Sequence, residues 1–295
     1  MIANIVANYL VNKGKISVEQ YSRLFDELTR VRAKLGLIAV HEGFMTEYQA
    51  DSINLLQSTI DMRFGDLAVE KGLLTASQVQ ELLKHQGDPY LSLAQALENM
   101  GIMKLTDLDL MMKKYQAENE LSSSNLEALK SDEIDRIVPL FLPPDADDYV
   151  DVMLLAVKTI SRCVDGNIIP IKAYYTDRLE VQNGALQFAD GNPCVTIAMC
   201  GDGNSLLKMA STYGREEFPC VNMDALDAIA ELINCITGMY ATALSANRID
   251  MELYPPEFDD SVESIGGAEM LVLPLVVGSK SVNLCVCLGE RLEFE

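Results

Sequence analysis

Basic residues are scarce in this 295-residue chain: 23 Lys and Arg stand against 44 Asp and Glu, a formal net charge of −21. Contacts to a phosphate backbone need clustered Lys and Arg, so this balance argues against binding DNA or other long nucleic acid, and against an anionic membrane surface. A small anionic ligand in a local pocket stays open. Histidine is scarcer still. His41 and His85 lie far in sequence from any cysteine, which argues against a structural zinc site or any other metal of the chain's own. The first half has no cysteine. The seven in the second half (Cys163, Cys194, Cys200, Cys220, Cys235, Cys285, Cys287) are odd in number and form no CxxC pair. That is the pattern of reduced, mostly buried thiols. No apolar run approaches the ~18 residues of a membrane span, and the start lacks the basic opening and cleavage site of a signal peptide. A cytoplasmic location is therefore expected. No His neighbours a Ser or Cys in a triad pattern, and no glycine-rich loop carries a Walker lysine, so the chain does not read as a self-contained hydrolase.

What the first half does have is a repeat. Glycines fall at Gly14, Gly43, Gly72 and Gly101, each step being 29 residues, inside NKGKISVEQ, HEGFMTEYQ, EKGLLTASQ and NMGIMKLTD. Ala7, Gly36, Gly65 and Ala94 repeat at the same step. Such a period means one supersecondary unit used several times. Ser17, Thr46 and Thr75 precede Gln20, Gln49 and Gln78 by three residues, the capping-box pattern of a helix start. The fourth unit has Lys104 and Asp107 there, a weaker cap. Each unit reads as a short helix, a glycine turn and a longer amphipathic helix ending near Leu28, Gln57, Gln86 or Gln116. These units should stack into one all-helical domain over 1–117.

The repeat resembles the GspE N-terminal, or MshEN, module of type II secretion and pilus ATPases. Arg63–Gln86, RFGDLAVEKGLLTASQVQELLKHQ, is a good copy of its motif. Lys34–Gln57 is a poorer one, with Lys34 for Arg, Ala50 for Leu and Asn54 for Leu, and the five-residue spacer Ser58–Met62 fits. Some members of that family bind cyclic di-GMP. The resemblance implies Lys34, Gly36, Arg63 and Gly65 as contacts, with a purely structural helical repeat as the other reading.

Polar and proline-rich text over 118–145 reads as a linker, with the apolar patch Ile137–Leu142 docked on one of the domains. The remainder, 146–295, reads as α+β with a mainly antiparallel sheet. Asp147–Val164 is an expected helix. Strands are expected near 168–175, 179–182, 185–188 and 195–200, with Asn183-Gly184 as a hairpin signal. A short helix is expected at 204–212, and a last hairpin over 270–288 turning at Gly278-Ser279.

Between these lies the stretch that organises the half. Leu226, Ile229, Ile233, Ile236, Tyr240 and Leu244 form an apolar helical stripe, followed by a strand over 249–254. Beside the stripe run Asp227, Glu231, Asn234 and Gly238, spaced 4, 3 and 4, on one face. A glycine inside a helix costs about 1 kcal/mol relative to alanine, which suggests close packing of another element or a partner. This stretch resembles the CheC/CheX family of chemotaxis phosphatases. Its signature is an acidic or Ser residue, then Glu, two residues, Asn, and a Pro about twenty residues on. Here Asp227, Glu231, Asn234 and Pro255 fill it, with twenty residues between Asn234 and Pro255.

The resemblance implies a phosphatase for the phospho-aspartate of a CheY-like response regulator. Mg²⁺ sits on the partner, not on this chain. Asn234 orients the attacking water, Glu231 pairs with the regulator's lysine, and Asp227 and Gly238 shape the contact face. The helix over 147–164 carries no second ExxN, so one site per chain and a CheX-type homodimer are expected. The rival is a non-catalytic adaptor of a chemotaxis, pilus or secretion system, gated by cyclic di-GMP. An enzyme acting on a free small molecule is disfavoured, since no polar cluster suggests a substrate pocket.

Overall fold

A computed structural model describes residues 1–295. The chain divides into two compact units, Ile2–Glu133 and Ile134–Glu295.

The first unit is all helix: α1 (Ile2–Asn12), α2 (Val18–Leu28), α3 (Leu35–His41), α4 (Glu47–Gln57), α5 (Phe64–Glu70), α6 (Ala76–Lys84), α7 (Pro89–Asn99), α8 (Leu105–Glu118) and α9 (Ser123–Lys130). The capping chemistry is the one written in the sequence. Ser17, Thr46 and Thr75 each accept from the backbone N–H three residues on, and Gln20, Gln49 and Gln78 return the bond. Lys104 gives α8 no side-chain cap. Gly14, Gly43, Gly72 and Gly101 all take φ between +64° and +70°, the left-handed turn that closes each first helix. Leu24, Ile53, Leu82 and Met111 stand at 29-residue steps and are all buried. The stretch 118–145 carries more structure than its polar text suggests. Ser122 caps α9 by accepting from Asn125 N–H, and Leu126 and Leu129 are buried in the helical unit.

The second unit opens with α10 (Ile134–Ile137) and a 3₁₀ turn (Val138–Phe141); Val138 and Leu142 join its core. It continues with α11 (Val150–Cys163), β1 (Ile169–Pro170), β2 (Tyr174–Glu180), β3 (Asn183–Asp190), β4 (Val195–Gly201), α12 (Leu207–Gly214) and α13 (Met223–Ser245). Then come β5 (Glu252–Leu253), β6 (Glu257–Asp259), β7 (Ser264–Val277), β8 (Lys280–Leu288) and β9 (Glu293–Phe294). The strands form one antiparallel sheet with the order β1-β7-β8-β4-β3-β5; β2 and β9 also pair with β7, and β6 with β3. The fold class is the α+β arrangement expected.

Strand alternation divides the interior in two. Ala185, Val195, Ile197, Leu271, Leu284 and Val286 pack with α11 and α13, while Leu186, Ala198, Cys200, Val272, Cys285 and Cys287 form a second apolar cluster. All seven cysteines are free, and Cys200, Cys285 and Cys287 are buried. By length and hydropathy α13 matches a membrane-crossing helix. Its apolar residues Leu226, Ile229, Ile233 and Ile236 lie in the core against the sheet, however, and its opposite face carries Asp224, Asp227 and Glu231.

Two local expectations change. Asn183-Gly184 is not a hairpin turn but the buried start of β3, paired with Gly201 and Cys200. A Cβ on Gly184 would stand 2.8 Å from Cys200 Sγ and 3.1 Å from the Met199 carbonyl, so the glycine serves close strand packing. Strand β2 runs instead along β7. The strand expected over 249–254 shortens to β5, because Asn247, Arg248 and Ile249 bond back to the end of α13, with Arg248 at φ +64°.

Candidate functional site

The site is built on α13. Asn222 caps it, its side chain accepting from Ala225 N–H 3.0 Å away. The buried stripe fixes which face turns outward, and so the row Asp227, Glu231, Asn234 and Gly238 lies along its edge. Asp227 and Glu231 are exposed; Asn234 and Gly238 are half-buried. Within this unit the Asp227–Glu231 end of the row faces solvent, and Asn234 stands where the row meets β3.

The row leads from solvent toward the sheet. Asn234 Oδ1 accepts from Gln187 Nε2 at 2.9 Å, and the same nitrogen donates to the Tyr254 carbonyl at 2.8 Å. Tyr254 directly precedes Pro255, so the helix motif and the proline meet through one buried glutamine of β3. Tyr254 is held in place by its own N–H, which donates to the Phe188 carbonyl at 3.0 Å, and by its ring against Phe188. Sequence reading missed Gln187. The alternation did place it with Ala185 and Ala189 on one face of β3, but both faces of that strand are buried, so nothing in the text marked which one meets α13.

Gly238 is not enforced by the chain's own packing. A Cβ there would find only Leu253 Cδ2, at an ordinary 3.9 Å. The internal neighbour that the glycine suggested is absent, and the space is free. Gly238→Ala is therefore expected to raise thermal stability by about 0.8–1 kcal/mol, the helix-propensity gain.

On the N-terminal side Tyr213, Gly214, Glu216, Glu217, Phe218, Pro219, Asn222, Asp224, Asp227, Ala228 and Glu231 line a groove of about 540 Å³. Its charge is wholly acidic, which suits a partner with a basic edge. The Tyr213 hydroxyl donates to the Glu231 carbonyl at 3.4 Å. Burial pushes its phenol above the usual range, with Cys235, Cys163 and Glu231 adding to the rise, so it stays a neutral donor at pH 7.

The residues implied by the repeat are placed less coherently. Lys34 and Arg63 precede α3 and α5 as exposed N-caps without side-chain capping bonds. Lys34 and Gly36 line a cleft of about 240 Å³, but Arg63 and Gly65 do not. The cleft also holds Glu47, Asp51 and Glu98, and Lys104 lies within 3.6 Å of Glu47 and Asp51. Both glycines are buried under neighbouring side chains: a Cβ on Gly36 would stand 3.0 Å from the Phe64 ring, and one on Gly65 2.8 Å from Val79 Cγ1. Helix packing accounts for both.

No family model matches this sequence, and no curated protein does. Solved structures similar to its C-terminal half are CheC-like and CheX chemotaxis proteins. One is a CheC-like superfamily protein from Shewanella sp. PV-4, 12% identical, covering 49% of this chain and 99% of its own, with a TM-score of 0.43. A second is the chemotaxis protein CheX of Desulfovibrio desulfuricans, at 16% identity, 48% and 97% coverage and a TM-score of 0.40. A third is the Borrelia burgdorferi CheX in complex with CheY, BeF₃ and Mg²⁺, at 18% identity, 48% and 99% coverage and a TM-score of 0.38. Likeness at this level does not transfer an activity from one chain to another.

Proposed function

We propose that the second unit is a phosphatase for the phospho-aspartate of a CheY-like response regulator. What carries this reading is the meeting of Asn234 and the Tyr254–Pro255 segment through Gln187, with Glu231 exposed one turn before Asn234 on the same helix. Two polar side chains are too few for most hydrolyses, but enough when the partner supplies the rest. A phosphorylated receiver brings the acyl phosphate, its Mg²⁺ and a lysine. Water oxygen bonds to phosphorus, the bond from phosphorus to the aspartyl oxygen breaks, and aspartate and inorganic phosphate leave. The missing ingredient is a held water in a shielded place.

Asn234 suits that task because an amide does not titrate and is already oriented here. Glu231, exposed one turn away, pairs with the receiver's lysine and sets the docking. Asp227 and the acidic groove extend the contact, and the free space at Gly238 lets the receiver come close. A cytoplasmic site of action and a homodimer with one site per chain belong to the same proposal; sedimentation of the full chain tests the second. In Gly238→Ala, receiver dephosphorylation should slow while the fold is stabilised, because the new methyl stands on the contact face. An unchanged rate would remove Gly238 from that face.

The test is the decay of a phosphorylated CheY-like receiver with and without the full-length protein. Binding without faster decay favours the non-catalytic adaptor. The helical unit is proposed to regulate or localise the second, and its resemblance implies cyclic di-GMP as a ligand. Three carboxylates in the Lys34 cleft oppose a dianionic ligand. Titration with cyclic di-GMP is therefore expected to leave the melting temperature unchanged. A concentration-dependent rise, lost in Lys34→Ala, would reinstate the nucleotide.

A further inference from the structure

We infer that Gln187 is the positioning residue for Asn234: it holds the Asn234 amide with Oδ1 inward and Nδ2 outward, so the partner's water meets a hydrogen-bond donor. The chemistry rests on the phosphatase reading; the orientation rests on the fold alone.

Gln187 is 1% exposed and sits between Ala185 and Ala189, facing α13 in the main core. An apolar side chain would fill such a place at less cost, because a buried amide must find partners. Its partners are fixed by type. The Tyr254 carbonyl only accepts, so Gln187 must turn Nε2 toward it. The second N–H of that nitrogen points at Asn234, which must then answer with oxygen. Asn234 Nδ2 is left for the open face beside Glu231. Gln187 Oε1, on the far side, is buried without a partner. The bridge is thus held against a cost in stability, as strained polar groups at functional sites are. A donor on the outer edge takes one lone pair of the attacking water and leaves the other for phosphorus.

The orientation is tested with full-length wild type, Gln187→Glu and Asn234→Asp, using a CheY-like receiver phosphorylated by acetyl phosphate. A glutamate carboxyl carries at most one donor, so it cannot serve the Tyr254 carbonyl and Asn234 Oδ1 together, and Asn234 turns Nδ2 inward and presents oxygen. Aspartate keeps the bond from Gln187 but also presents oxygen outward. Both variants are expected to lower the rate at saturating receiver about tenfold or more, with affinity for a BeF₃-loaded receiver within about threefold of wild type. A role in stability alone would lower the melting temperature and leave the rate per folded molecule intact. Wild-type turnover by Asn234→Asp overturns the donor role even if Gln187→Glu does not fold.

If wild type itself does not speed decay, the phosphatase reading fails, and side-chain amide exchange by NMR still decides the orientation. The Gln187 amide protons should be protected and those of Asn234 fast-exchanging. Equal exchange of the two overturns the assignment.

Discussion

Asn234→Ala is expected to slow full-length-protein-stimulated receiver dephosphorylation by about a hundredfold, the usual cost of losing the group that places a reactant. Binding of the receiver should change little, since Glu231 and the acidic groove remain. Stability should fall by about 1 kcal/mol, because the loss of Asn234 leaves one Gln187 N–H without its acceptor while the other still donates to the Tyr254 carbonyl. Single-turnover decay at saturating protein reads the rate, and a BeF₃-loaded receiver reads the affinity. A variant that keeps the wild-type rate removes the amide from the reaction.

Glu231→Lys should do the opposite. The rate at saturation is reached only at far higher protein concentration, because two lysines now face each other. Breaking one partner of a docked charge pair costs about 2 kcal/mol or more, roughly 30-fold in affinity. Glu231 is exposed and is a member of none of the chain's ion pairs, so the fold has little stake in its charge. Circular dichroism melting should match wild type. Rising salt should weaken wild-type binding steeply and the variant's residual binding less steeply, since the acidic groove still attracts the receiver while the new lysine repels it. Equal affinity of both proteins would place the receiver elsewhere.

Much of the helical unit was legible because local chemistry decides it. Ser17, Thr46 and Thr75 cap helices through residues three positions away, and the repeat glycines take their φ from their own turn. Helix α13 was legible for the same reason, its stripe and its polar row being periodic. What the text hid depends on distant partners. Asn183-Gly184 carries a local turn signal, yet β4 recruits it into a strand through Gly201 and Cys200. The polar run before residue 133 concealed α9, whose Leu126 and Leu129 are buried against neighbours that the run itself does not contain. Gln187 was invisible as a site residue because it lies 47 positions from Asn234 and 67 from Tyr254. The glycines Gly36 and Gly65 read as ligand contacts in a motif; in space they are where Phe64 and Val79 pack.

The most direct measurement is the half-life of a phosphorylated CheY-like receiver across a titration of the full-length wild-type protein, with BeF₃-loaded receiver as competitor. A phosphatase built as described shortens the half-life to a plateau, and the competitor restores it. A half-life that stays constant while the receiver is demonstrably bound would contradict the account and leave α13 as a docking helix.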